Sequence, residues 1–156
     1  LLLSVGGETE QGRLGEGTTA KTGTTTIAAS VILAAAYAFT VLIPSALLSR
    51  AEETHVAGGV SEPLYMDALR WPWPNPQAHE SYALALMDES RFSAARIQLE
   101  QAQEGLDTGR IHLLLAICSE AARDKTAVRR HVRECLYRWP DNEHARSLAT
   151  AHGMEF

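Results

Sequence analysis

PQAHESYALALMDESRFSAARIQLEQAQEGLDT, residues 76–108, and GRIHLLLAICSEAARDKTAVRRHVRECLYRWPD, residues 109–141, lie over one another without a gap. A slide of 33 residues brings His79 onto His112, Tyr82 onto Leu115 and Ala83 onto Ala116. Further on, Ala94 meets Ala127, Ala95 meets Val128, Leu99 meets Val132 and Ala102 meets Cys135. A third, partial pass gives Leu148 and Ala149, while Trp73 and Pro74 return as Trp139 and Pro140, with Leu106 and Asp107 between. Self-similarity at such a period marks stacked supersecondary units. Each period holds two amphipathic stretches, so the pattern predicts helix hairpins. A small residue on each helix allows close crossing, larger apolar residues flank it, and Pro or Asp ends the unit.

Working back toward the N-terminus, residues 22–49 contain no charged side chain. Within them, 25–48 reads TTIAASVILAAAYAFTVLIPSALL. A helix of that length spans about 36 Å, against roughly 30 Å of hydrocarbon. It is expected to be a transmembrane helix, in preference to a buried soluble helix or a cleaved signal peptide. Pro44 should bend it or loosen its last turns. The small face made by Ala28, Ala29, Ser30, Ala34, Ala35, Ala36 and Ala38 suits either close helix packing in lipid or plain helix propensity.

The flanks divide the remaining chain. Residues 1–24 are Gly- and Thr-rich and should be extended, without the Gly-Lys-Ser/Thr ending of a phosphate loop. Residues 49–75 read as juxtamembrane helices and a Pro/Trp linker, with a short helix or spacer over 51–60 and a helix near Glu62–Trp71. Prolines at 72, 74 and 76 must then break the helix. Residues 76–156 hold the repeats, with a closing helix near Asn142–His152. The fold expected is all-α: a single transmembrane helix followed by a small αα-hairpin repeat domain.

The repeat resembles the tetratricopeptide family. The resemblance rests on Ala83 and Ala116 at the small position, Tyr82 and Leu115 before it, Ala95 and Val128 in the second helix, then Leu99 and Val132, Ala102 and Cys135, and closing Pro74 and Pro140. It departs from the family in its period, in His79 and His112 at the early Trp position, and in Leu86 and Ser119 at the Tyr position. It covers about 76–141 and implies a curved surface that binds peptides or proteins. The Glu62–Trp71 helix fits as the second half of an earlier, eroded unit.

Little points to chemistry. The net charge of −5 gives no general case for nucleic acid. His79-Glu80 starts like a zincin motif, but position 83 is Ala, and no other histidine has ligand spacing. No Ser, His and Asp share a recognisable motif. Neither a catalytic residue, a cofactor nor a metal is expected. Cys118 and Cys135 should be reduced, buried thiols on facing helices. Candidate protein contacts are Arg129, Arg130 and Arg133 on one face of helix 125–138, with His79 and His112 at equivalent repeat positions. Candidate membrane-interface residues are Arg50, Trp71 and Trp73.

Three functional readings stay open. The first is a non-catalytic, membrane-anchored scaffold or accessory subunit, whose partners are other subunits of a membrane complex and the lipid bilayer. In the second, an apolar helix followed by ALRWPWPNPQAH (68–79) is similar to the C-terminal end of O-antigen ligase or polymerase family membrane proteins. That resemblance implies a catalytic part upstream, and a chain starting at Leu1 with Leu2 and Leu3 agrees with it. The third is a peptide-binding assembly factor. Arg13 and Lys21 against Arg50 favour a cytoplasmic N-terminus, leaving the repeats periplasmic or lumenal.

Overall fold

The computed structural model describes residues 29–71 and 74–155. The Gly/Thr-rich segment 1–24, residues 25–28 of the apolar run, and Trp73 lie outside the described residues. Among the described residues every regular element is helical. The chain divides into two compact units, Leu1–Ala38 and Phe39–Phe156.

Helix α1 runs Ala29–Val56, long and apolar enough to cross a membrane. Its 28 residues correspond to about 42 Å. In the first unit, Val31, Ile32 and Leu33 are 63%, 69% and 74% exposed, so most of their apolar surface is uncovered among the described residues.

From Ala38, the last residue of the first unit, α1 is a π-helix to Leu42, and it is α-helix over Ile43–Val56. Pro44 offers no N–H, and its ring crowds the carbonyl four residues earlier; a widened turn just before it accommodates the ring. The Ser45 hydroxyl donates to the Leu42 carbonyl at 3.0 Å. The helix runs on past Leu48 to Val56, so of the two forms expected for 51–60 the helical one is present over 51–56. Ala51 is fully buried, in the same core as Tyr65, Tyr82 and Leu86.

Six helices follow: α2 (Glu62–Leu69), α3 (Pro76–Asp88), α4 (Phe92–Gln103), α5 (Gly109–Ala121), α6 (Lys125–Arg138) and α7 (Glu143–Ala151). Packing follows chain order. The end of α1 lies on α2, α3 on α4, α5 on α6, and α7 on α6. Between pairs, α2 meets α3 and α4 meets α5.

The repeat is visible in the backbone itself. Asn75, Thr108 and Asn142 cap α3, α5 and α7, each side chain accepting the N–H three residues on. That satisfies one of the donors a helix start leaves open. Helices α1, α3, α5 and α7 end alike. Gly58, Ser90, Arg123 and Gly153 take positive φ. The next N–H then donates five residues back, Gly59 to Thr54, Arg91 to Leu86, Asp124 to Ser119 and Met154 to Ala149. This is the Schellman ending.

One register must be corrected. The capping residues Asn75 and Thr108 are 33 apart, but Asn142 follows after 34. Counted from the caps, Ala149 takes the place of Leu115 and Tyr82, and Leu148 that of Leu114. The extra residue lies in the turn at Trp139-Pro140-Asp141, where no helical ladder holds the count.

Two buried clusters form the core. One joins Tyr65, Tyr82, Leu86, Leu99, Ile111 and Leu115; the other joins Val128, Val132, Cys135, Leu136, Leu148 and Ala149. Ala83, Ala95, Ala116 and Val128 have no exposure, as expected of helix-contact positions. Gly109 is buried where α5 begins; a Cβ there would lie 3.0 Å from Trp139 Cβ and 3.3 Å from the Cys135 carbonyl oxygen. The last helix is two-faced. Ala145, Leu148 and Ala149 point inward, while Glu143, His144, Arg146, Ser147 and Thr150 are exposed. A polar outer face is what a stacked array needs at its end.

Candidate functional site

Helices α3 and α5 carry matching rows of half-buried side chains. On α3 these are Glu80, Leu84 and Met87; on α5, Leu113 and Ile117. Spacings of three and four residues keep each row on one helix face. Arg110 Nε lies 2.8 Å from Glu80 Oε1, an ion pair by distance rather than an aligned hydrogen bond. The leucines, Met87 and Ile117 also pack on the core beneath, so the rows are shape rather than loose surface.

A polar cluster lies between α5 and α6. His112 and His131 are 3% and 5% exposed, with their Nδ1 atoms 3.2 Å apart. His112 Nε2 lies 2.8 Å from Asp107 Oδ1, and Arg130 donates to His131 Nε2 at 3.1 Å. Arg138 donates to Asp107 and to Glu134. Those guanidinium contacts, then the His112 contact, hold the Asp107 carboxyl below its ordinary range. Burial, and then Arg130, push the His131 ring down to about 4. A cleft of about 390 Å³ opens beside the cluster, lined by Gln103, Asp107, His112, Arg130, His131, Glu134 and Arg138.

A second polar knot joins α2, α3 and the turn after α3. Tyr82 OH donates to Glu62 Oε1 at 2.8 Å, and Arg91 donates to Glu62 Oε2 at 3.0 Å. Tyr82 stacks on Tyr65 with ring centroids 5.1 Å apart. Desolvation first, then Glu62, raise the Tyr82 phenol to about 12. Arg91 chiefly, and Tyr82 next, lower Glu62.

The residues singled out from sequence do not gather in one place. His79 donates through Nδ1 to Gln98 Oε1 at 2.8 Å, within α3 and α4. His112 is almost wholly buried in its own helix pair, reaching only the edge of the cleft. The three arginines divide: Arg129 donates to the His152 carbonyl, Arg130 turns to His131, and only Arg133 extends without a polar contact among the described residues. Arg50 is exposed on α1. Trp71 packs on Phe39, ring centroids 4.7 Å apart, and lines a cleft with Val41, Pro44 and Leu48.

His131 had escaped the sequence reading. Its signal was there: it stands 19 residues after His112, as Gln98 stands after His79. Among the described residues no group of three or more His, Cys, Asp or Glu could hold a metal ion. Cys118 and Cys135 are free and buried.

Compared with known proteins, the chain matches no family model, no curated protein and no solved structure.

Proposed function

We propose that the chain is a non-catalytic, single-pass membrane-anchored scaffold or accessory subunit, whose tetratricopeptide-like helix pairs contact neighbouring subunits. One observation carries the reading. The apolar helix Ala29–Val56 does not end in a linker; Ala51, near its end, belongs to the helical core. A helix apolar enough to cross a membrane whose last turns belong to a helical core suits a subunit of a larger membrane assembly. The half-buried rows on α3 and α5 and the exposed Arg133 are the surfaces we assign to protein contacts, with the repeats on the periplasmic or lumenal side.

The test is purification of the tagged full chain in mild detergent, with mass measured by light scattering. A complex of defined stoichiometry, weakened by Arg133→Glu, is the expected result. A chain that remains monomeric in its native membrane extract would sink the reading.

A further inference from the structure

The His112–His131 contact has one consistent arrangement of hydrogens. A guanidinium only donates, so Arg130 makes His131 Nε2 an acceptor. His131 then carries its proton on Nδ1 and donates it to His112 Nδ1. His112 in turn carries its proton on Nε2 and donates it to Asp107. In this arrangement the chain Arg130 to His131 to His112 to Asp107 is satisfied throughout. An added proton on His131 Nε2 would face the Arg130 N–H. An added proton on His112 Nδ1 would face that of His131. Buried donors that meet donors lose their partner and keep the desolvation penalty.

The same place in the preceding unit lacks this network. Moving back 33 residues, Asp107 becomes Pro74, Arg130 becomes Ile97 and His131 becomes Gln98. There His79 makes a plain hydrogen bond to Gln98, an amide that does not titrate. Three differences in register thus build into one helix pair a hydrogen-bond chain that an added proton would break, while the His79 Nδ1–H in its neighbour keeps its acceptor, Gln98 Oε1, whatever the other ring nitrogen carries.

We propose that the buried His112–His131 contact is an acid-released latch: with His131 neutral, it holds α5 to α6 beside the cleft, and a proton on His131 opens that pair while α3 and α4 stay closed. The charges around His131 work in this direction. Arg130 adjoins it on α6, and His112 across the pair and then Arg96 on α4 also disfavour a positive charge there; Glu100 on α4 opposes them. Glu134 and Asp107, the nearest carboxylates along the cleft, are both engaged by Arg138. The sign follows. The folded ring takes its proton near 4, below the ordinary 6.5, so the unfolded or opened form binds more protons between those values. The latch is complete above 6.5, weakens as the pH falls toward 4, and changes no further below that.

The test is hydrogen exchange of the full chain in detergent micelles, corrected for intrinsic exchange rates, at pH 6.5 and pH 5. With the open ring at its ordinary value and the closed one near 4, that interval weakens closure of α5 and α6 about fifteenfold relative to α3 and α4. His131→Gln copies the pair already present at His79 and Gln98, and should abolish the difference. Equal acid responses in both helix pairs, or an unchanged response in His131→Gln, would overturn the proposal. Should His131→Gln fail to fold, ring NMR of the natural chain decides. A His131 midpoint well below 6 with the Nδ1–H tautomer supports the latch; an ordinary midpoint refutes it.

Discussion

Ser90 and Arg123 hold the same left-handed backbone, φ 61° and 58°, in the turns that follow α3 and α5. Each is followed by an N–H that reaches five residues back, from Arg91 to Leu86 and from Asp124 to Ser119. Side chains with a Cβ pay a steric penalty there, and Gly does not. Ser90→Gly and Arg123→Gly are therefore expected to stabilise the domain, each by about 0.5–1 kcal/mol after the added chain entropy of Gly is counted. Urea unfolding midpoints measure this; a fall in both would contradict the turn geometry.

Gly109 makes the opposite case. Its φ is unremarkable, so its need is space: the Trp139 Cβ and Cys135 carbonyl lie close to where a Cβ would sit. Gly109→Val should separate the start of α5 from the end of α6 and destabilise by about 1–3 kcal/mol. A variant as stable as the natural chain would show that this approach is loose.

Asn142 starts the closing helix, its side chain accepting the Ala145 N–H at 2.8 Å. Asn142→Ala should remove about 1 kcal/mol. The loss should appear as faster exchange in α7, and in the Val132 and Cys135 layer it covers. Unchanged exchange in α7 would mean that core packing alone holds the helix.

Tyr82 ties stability to alkaline pH. Its phenol titrates near 12 when folded, against 10 in an unperturbed chain, so the folded form holds more protons between those values. Stability should be complete below 10 and decline as pH rises toward 12. In Tyr82→Phe this component should vanish, at the loss of the bond to Glu62. The same alkaline slope in both proteins would assign it elsewhere.

The thiols report opening. Burial raises Cys118 to about 11 and also raises Cys135. Reaction with a thiol reagent at pH 7.5 should be on the order of a hundredfold slower than in denaturant, because the thiolate is scarce and access requires opening. Equal rates would place one of them at the surface.

The sequence by itself determined the helical class. An uncharged apolar run long enough to span a bilayer and a 33-residue self-match are local and periodic signals, and both are written along one strand of chain. The burial of Ala83, Ala116, Leu99 and Val132 followed from the same periodicity. What the tertiary structure alone decided are contacts across elements. It carried α1 past Leu48 into the core through Ala51, because a helix end becomes a core element only when something packs on it. It split Arg129, Arg130 and Arg133 among three environments, since a shared helix face says nothing of what lies opposite. And it brought His131, an unremarkable residue on a basic helix, against His112. The pairing depends on two helices meeting, and one helix period cannot announce it.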